Sequence, residues 1–404
     1  MSDLSDKTIL LGMTGGIACY KVAELARRLQ DEGAAVQCVM TQAATEFITP
    51  MTMQALTGRI VFTDPWDARI ANQMPHIDLS RHADAIVIAP ASADFMAKVA
   101  SGLADDLLST LVLARKAPLL MAPAMNVQMW DAAPTQRNVN TLLADGVKLL
   151  GPEVGHQACG ETGAGRMLEP QQLLQEIIAS FQPKTLSGKR VLITAGPTFE
   201  PIDPVRGITS ISSGKMGYAI ARAAHEAGAT VTLISGPSAL NSPYGVSFTK
   251  IQTAQQMLDA VMARVKESDV FISVAAVSDW RVSNASNSKI KKTEFSAATL
   301  SLELTPNPDI LATVAALPDR PYCIGFAAET DNIEQYAREK RARKNLPLLV
   351  ANDARKAMGA ESTSLILFDD AGMKPFASMS KLAAARFLIQ QIAVRLIKKV
   401  PGVN

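Results

Sequence analysis

Cysteine is scarce in this chain: four residues in 404, at positions 19, 38, 159 and 323, with no CxxC pair. That excludes a disulfide scaffold and a zinc ribbon, and it fits a reducing, cytoplasmic setting. Aromatic residues reach only 5% and charged residues 19%, against 48% apolar; this balance is globular and outside the disordered, collagen-like and coiled-coil ranges. No stretch approaches 18 uninterrupted apolar residues, so an ordinary membrane span is not expected. The opening MSDLSDKTILLGMTGG lacks the basic head and apolar run of a signal peptide. His76, His82, His156 and Cys159 make no recognisable zinc spacing.

What is present is uneven. Residues 1–181 carry 13 Lys/Arg against 19 Asp/Glu, and residues 182–404 carry 27 against 19, so a net charge of +2 divides into −6 and +8. An acidic first half argues against nucleic acid there; a cationic second half suits a polyanion such as a nucleotide.

Length and pattern indicate two domains. Thr8–Leu11 reads as a strand leading into Gly12-Met13-Thr14-Gly15-Gly16, a helix follows to Gly33, and Ala35–Met40 reads as the next strand. The same order recurs from Arg190: strand, glycine turn, a helix opening at Ser213-Gly214-Lys215, and the strand Thr230–Ile234. Such repeated units predict an α/β protein of two doubly wound, Rossmann-like parallel-sheet domains. The expected bounds are 1–182 and 190–404, joined by a linker at 183–189. Further strands are expected at 84–89, 118–121, 147–150, 270–275, 300–304, 322–326, 348–350 and 365–368, and 380–399 reads as an amphipathic helix packed on the sheet.

In open α/β sheets ligands gather where strands end. The first glycine turn can present N–H groups to a phosphate, or be a tight turn with no ligand. Thr41-Gln42-Ala43-Ala44, Pro90-Ala91-Ser92-Ala93 and Pro123-Ala124-Met125-Asn126-Val127-Gln128-Met129-Trp130 end three more strands. The segment 155–167 packs four glycines into 13 residues around Cys159 and reads as a mobile flap. An ordinary thiol, with a pKa near about 8.5, is mostly protonated at neutral pH and can donate a proton. The other three cysteines fall in helix or strand patterns and read as buried apolar residues.

These motifs resemble the flavin-containing cysteine decarboxylases; the run from Pro123 to Trp130 matches their P-x-M-N-x-x-M-W pattern throughout, while Asp94 and Phe95 depart from the Asn and Thr that part of the family carries after P-A-S-A. The resemblance implies FMN held by Gly12, Thr14, Gly15, Gly16, Thr41, Ser92, Ala93 and Met125, with Asn126 binding the substrate carboxylate. It implies that His76 positions substrate or assists proton movement, and that Cys159 is the proton donor. Decarboxylation needs an electron sink, which flavin supplies by oxidising the cysteinyl thiol.

In the second half, Ser212-Ser213-Gly214-Lys215-Met216-Gly217 fails as a P-loop: Gly207 lies seven residues before Gly214 instead of five, and Met216 stands where Ser or Thr must meet Mg2+. Two basic clusters, Lys289, Lys291 and Lys292, and Arg338, Lys340, Arg341, Arg343 and Lys344, suit a triphosphate and a phosphorylated acid, although charge runs are commonly solvated faces. Together with Asp203-Pro204-Val205-Arg206, Ala275–Trp280, Asn307-Pro308-Asp309-Ile310 and Gly325–Thr330, this half resembles phosphopantothenate-cysteine ligase. The resemblance implies CTP bound by Ser273, Val274, Ala275, Asp279, Lys289, Asn307, Pro308, Asp309, Ile310, Phe326, Lys340 and Lys344. It also implies Mg2+ near Asp279, substrate bound by Arg206, Ser212, Gly214, Lys215, Met216 and Ala276, and Lys289 and residue 210 as catalytic groups. Ser210 stands where bacterial relatives commonly carry Asn.

The whole chain thus resembles the bifunctional bacterial phosphopantothenoylcysteine decarboxylase / phosphopantothenate-cysteine ligases of coenzyme A synthesis. The implied reactions are CTP-dependent coupling of 4′-phosphopantothenate to cysteine through an acyl-cytidylate, then decarboxylation to 4′-phosphopantetheine. The implied assembly is a dodecamer of flavin-domain trimers linked by ligase dimers, with neither nucleic acid nor membrane as partner. Two alternatives are a flavin-binding regulatory protein without turnover and a nicotinamide dehydrogenase.

Overall fold

The computed structural model describes residues 2–66, 74–291, 300–329, 331–353, 355 and 359–398; Lys292 and Thr330 of the motifs above lie outside the described residues. The chain divides into two compact units, Met1–Phe181 and Gln182–Asn404.

The first unit is built on strands β1 (Thr8–Met13), β2 (Ala35–Met40), β3 (Ala85–Ala91), β4 (Leu119–Pro123) and β5 (Lys148–Leu149), all parallel, in the order β2-β1-β3-β4-β5. Every residue of β3 is buried, as expected of a central parallel strand covered on both faces. Leu10, Ile86, Ile88, Leu119 and Met121 turn to one face, against Phe95, Leu108, Leu111 and Leu142 from helices. The strand order reverses between β1 and β3, so the crevice outside their carboxyl ends is the expected ligand position.

The segment expected as a flap is a hairpin of β6 (Glu153–His156) and β7 (Thr162–Arg166), paired antiparallel. Its tight turn is closed by Gln157 N–H donating to Glu161 O at 2.8 Å and Gly160 N–H donating to Gln157 O at 3.0 Å. Gly160 adopts φ +86°, a left-handed conformation that favours glycine.

The second unit contains β8 (Arg190–Ala195), β9 (Phe199–Asp203), β10 (Arg206–Thr209), β11 (Thr230–Ser235), β12 (Ser247–Lys250), β13 (Val270–Ser273), β14 (Trp280–Val282), β15 (Leu304–Pro306), β16 (Tyr322–Glu329) and β17 (Leu348–Asp353). Its main sheet runs β12-β11-β8-β13-β16-β17 in parallel and is extended by Ile366–Asp369 and Gly372–Pro375, both antiparallel. Period-2 alternation loads both faces: Val191, Ile193, Val231, Ile272 and Ile324 meet Ile220, Leu388 and Ile392, while Leu192, Ile234, Phe271 and Leu349 meet Met257, Val261 and Val314. The terminal helix Lys381–Lys398 packs on helix Lys215–Glu226 in the first of these cores.

The strand expected at 300–304 is not part of the main sheet. Only Leu304–Pro306 is extended, as a short antiparallel partner of β14. Its apolar residues are exposed, Leu300 at 46% and Leu304 at 43%, so no core draws them inward. Among the described residues no helix is long and apolar enough to cross a membrane.

Candidate functional site

In the first unit two glycines at the end of β1 and in the turn after it are packed too tightly for side chains. A Cβ at Gly12 would lie 2.6 Å from Ile88 Cδ1, and one at Gly15 would lie 2.7 Å from Ala43 Cβ. Gly16 has open space by comparison, its nearest neighbour being Pro90 Cγ at 3.7 Å. Thr14 is 1% exposed; its hydroxyl donates to Pro90 O at 2.7 Å and accepts from Ser92 N–H at 2.9 Å. That hydroxyl therefore ties the β1 turn to the β3 turn. The helix Cys19–Asp31 that follows carries no side-chain cap; backbone carbonyls take its first donors instead, Cys19 N–H reaching Gly16 O and Lys21 N–H reaching Ala18 O, each at 3.0 Å. Thr41 and Ser92 cap the helices Gln42–Thr45 and Ala93–Ser101, with Ala93 opening the second.

Cys159 is the exposed cysteine; Cys19, Cys38 and Cys323 are buried. Burial pushes the Cys19 thiol up to about 11, although backbone hydrogen bonds pull it down, and the Cys38 thiol up to about 12. Asn126 Nδ2 lies 3.4 Å from Cys159 Sγ and donates to Glu161 Oε2. Cys159 Sγ is 3.6 Å from the same Glu161 oxygen and 3.8 Å from Gln157 Oε1. Gln157 in turn accepts from Val127 N–H at 3.0 Å and donates to Ala164 O at 3.0 Å. The hairpin turn is thereby tied to the start of the helix Val127–Asp131, which Asn126 caps through Gln128 N–H at 2.8 Å. Met125 joins them, its N–H donating to Gly165 O at 2.9 Å.

Gly16, Met125, Asn126 and Cys159 line one cleft of about 330 Å3 with Tyr20 and Lys21, within the size of small-ligand pockets. The buried Lys21 ammonium donates to Glu169 Oε1 at 2.8 Å and to Met167 O at 3.3 Å. His76 sits half-buried in the helix Pro75–Arg81 and is not among the cleft's lining residues. Gly16, which has no close neighbour where a side chain would stand, borders this cleft, so a bound group can approach the backbone there.

In the second unit, the carboxyl ends of β8, β13, β16 and β17 surround two adjoining cavities of about 350 and 180 Å3, which share Ala275, Val277, Asp279, Phe326 and Lys340. The larger also takes in Ser212, Gly214, Lys215, Met216, Val274 and Ala276. The smaller takes in Ser273, Asn307, Pro308, Asp309, Ile310 and Lys344. Lys340 donates to Phe326 O at 3.0 Å; burial, with Lys344 adding to it, holds its ammonium below the ordinary lysine range. Lys344 pairs with Asp309 at 2.6 Å. Burial works against the Asp309 carboxylate, yet the Lys344 and Ala312 hydrogen bonds outweigh it and lower its pKa. The exposed Asp279 reaches both cavities. Among the described residues no group of three or more His, Cys, Asp or Glu side chains is placed to hold a metal.

Three sequence-selected residues, Arg206, Ser210 and Lys289, do not line these cavities. Ser210 Oγ accepts from Ser212 N–H at 3.3 Å, shaping the approach to Gly214. Arg206 and the segment bearing Lys289 meet through Asp203: Arg206 Nε donates to Asp203 Oδ2 at 2.9 Å, Ile290 N–H donates to the same oxygen at 3.2 Å, and Arg206 Nη2 donates to Ile290 O at 2.8 Å. Burial opposes ionisation of Asp203, but the Arg206 hydrogen bond and three backbone N–H groups prevail and bring its pKa down to about 2 from an ordinary 3.8.

A carboxyl lowered on folding contributes stability that is present above the unfolded value and lost as pH falls through the folded one. The unfolding midpoint of the second unit should therefore drop between about pH 4 and pH 2. Asp203→Asn should lie lower above that window and lose the dependence inside it. Melting curves of both proteins across pH 2–6 check this, and parallel curves would refute it.

Sequence reasoning passed over Glu161, Gln157 and Lys21 in the first unit, and Asn352, Thr363 and Lys381 in the second. Glu161 stands two residues from Cys159 in the glycine-rich run, a carboxylate beside a thiol that was a readable signal. Lys381, 8% exposed, reaches the larger cavity from a distant helix, with no local mark in the sequence.

The Flavoprotein family matches residues 1–182, and the family described as DNA/pantothenate metabolism flavoprotein C-terminal domain matches residues 186–396. Over 396 residues the chain is 49% identical to the coenzyme A biosynthesis bifunctional protein CoaBC of Vibrio vulnificus strain YJ016, covering 97% of this chain and 98% of the relative. The protein of that name from Escherichia coli strain K12 is 46% identical over 401 residues, covering 98% and 99%. A solved structure of the C-terminal domain of coenzyme A biosynthesis bifunctional protein CoaBC is 40% identical, covers 54% of this chain and all of that one, and has a TM-score of 0.47.

Proposed function

We propose how two reactions are divided along this chain, from the premise that it belongs to the coenzyme A biosynthesis bifunctional proteins, a flavoprotein decarboxylase joined to a ligase. Residues 190–404 couple 4′-phosphopantothenate to cysteine at the expense of CTP, through an acyl-cytidylate. Residues 1–182 decarboxylate the product to 4′-phosphopantetheine. Residues 183–189 link them, and the enzyme works in the cytoplasm.

The observation that carries the ligase reading is that eleven of the twelve residues the resemblance assigns to CTP, all but Lys289, line two adjoining cavities. Lys340 and Lys344 supply positive charge where a triphosphate accumulates negative charge, and Asn307, held by Ser278 O and Arg281, lines the smaller cavity. Mg2+ is commonly held through one or two carboxylates plus substrate phosphates, and Asp279, which lines both cavities, supplies such a carboxylate in this proposal. Lys289 neutralises charge that grows as the substrate carboxylate attacks the α-phosphate. Arg206 and Ser210 hold the acid beside it.

In the first unit FMN, when bound, supplies the two-electron oxidation and reduction that decarboxylation of an unactivated carboxylate requires. Gly16 leaves the backbone open to the cofactor, while Gly12 and Gly15 let the chain beside it pack against Ile88 and Ala43, and the β1 and β3 turns, tied by Thr14, keep that mouth rigid. Asn126 directs an amide N–H to the substrate carboxylate. Cys159, on the hairpin turn, delivers a proton to the carbon. His76, away from the Cys159 cleft of its own chain, serves a cleft formed with a neighbouring copy, in a trimer of flavin units that ligase dimers join into a dodecamer.

The test is a coupled assay with CTP and ATP in parallel, following pyrophosphate and carbon dioxide from 4′-phosphopantothenate and cysteine. Both products should appear with CTP. A yellow protein releasing neither would favour the flavin-binding regulator; release with ATP alone would overturn the nucleotide assignment.

A further inference from the structure

The larger cavity of the second unit has an end that the proposed substrate contacts leave unused. There Lys381, 8% exposed, and Thr363, 3% exposed, line the wall with Asn352 at the carboxyl end of β17. Two long helices start at this cavity: Lys215–Glu226, whose N-cap Gly214 has φ +78° and no side-chain cap, and Lys381–Lys398. The N-terminus of the first adds partial positive charge to that of Lys215 and Lys381; in the second, Ser380 Oγ accepts from Ala383 N–H at 3.2 Å and Glu361 O accepts from Lys381 N–H at 3.0 Å. Thr363 Oγ1 is buried without a hydrogen-bond partner, a costly condition unless a ligand completes it.

The chain's own Glu361 answers this charge in the free protein. Lys215 Nζ donates to Glu361 Oε1 and, at 3.3 Å, to Gly359 O. Glu361 is exposed, its side chain at 86%. Its carboxylate is held below the ordinary range by the Lys215 hydrogen bond, with Lys381 contributing. Burial first, and then Lys215, hold the Lys381 ammonium below the usual lysine range, with Glu361 acting the other way. An exposed carboxylate is a weak, displaceable counterion.

We infer that Lys381, Thr363 and Asn352 form a phosphoryl-binding end of this cavity, which a substrate phosphate enters by displacing Glu361 from Lys215. This rests on the ligase reading for the identity of the phosphate, but not for the existence of the anion site. Two sources share the chemistry: the terminal phosphates of the nucleotide and the phosphate of the pantothenoyl acid.

The experiment is calorimetric titration of the full chain with inorganic tripolyphosphate. Wild type should bind it, Lys381→Gln should weaken binding at least tenfold, and Lys381→Arg should restore it to within about threefold. Thr363→Val, close to isosteric, tests the same end without removing a charge and should also weaken binding. Melting curves confirm that each variant is folded. Absence of binding in wild type, or equal binding by wild type, Lys381→Gln and Thr363→Val, overturns the site. Steady-state ligation then names the source: a tenfold rise in KM for CTP assigns the nucleotide phosphates, and the same rise for 4′-phosphopantothenate assigns the acid. A rise in neither overturns the inference. Wild type that binds tripolyphosphate but ligates nothing keeps the anion site and removes the ligase reading.

Discussion

Cys159→Ser should keep releasing carbon dioxide while forming 4′-phosphopantetheine about 100-fold more slowly or worse, the scale on which a positioned proton donor contributes. A serine hydroxyl preserves the size of the group and its hydrogen bonding but yields a proton far less readily. No other thiol can take over: Cys19, Cys38 and Cys323 are buried in helix and strands. Cys159 stands exposed on the turn of the β6–β7 hairpin, with Asn126 Nδ2 at 3.4 Å. Carbon dioxide and product, quantified from supplied 4′-phosphopantothenoylcysteine, decide the matter. Product appearing at the wild-type rate would remove Cys159 from the donor role.

Lys289→Gln should slow pyrophosphate release by about 100-fold, the order of loss when one preorganised charge or donor is removed from a transition state. Decarboxylation of supplied 4′-phosphopantothenoylcysteine should proceed at its normal rate, because that chemistry belongs to the other unit. The neighbouring Ile290 is pinned to Asp203 and Arg206 on both its N–H and its carbonyl, so the backbone that bears the exposed Lys289 is held at a defined position. Stopped assays for pyrophosphate and carbon dioxide separate the outcomes. Equal loss of both activities would refute the division into two independent sites.

Much of the architecture could be read from local pattern. Thr8–Leu11 and Arg190–Thr194 are apolar runs that end in glycine turns, and such runs have few places to go other than the middle of a parallel sheet. Pro123–Trp130 was legible as a strand end because the apolar run stops at the polar Asn126; that Asn126 caps the next helix came from the structure. The strand expected at 300–304 failed for the opposite reason. Alternation of Leu and polar residues specifies a strand only when a core lies on one side, and Leu300 and Leu304 have none. The glycine-rich run at 155–167 was readable as a special segment, but its pairing as a hairpin depends on the register of β6 with β7.

By itself the sequence determined two α/β units, the division of charge between them, and the strand ends at which chemistry is expected, because apolar periodicity, glycine turns and charge are local properties. Only the tertiary structure decided which of those strand ends converge. It brings Glu161 and Gln157 around Cys159, commits the Thr14 hydroxyl to the β3 turn, and carries Lys381 and Thr363 to the cavity that begins at Gly196. Those neighbours are set by sheet order and by which helix packs on which face. Both are products of burying two apolar surfaces at once, so no window of consecutive residues contains them.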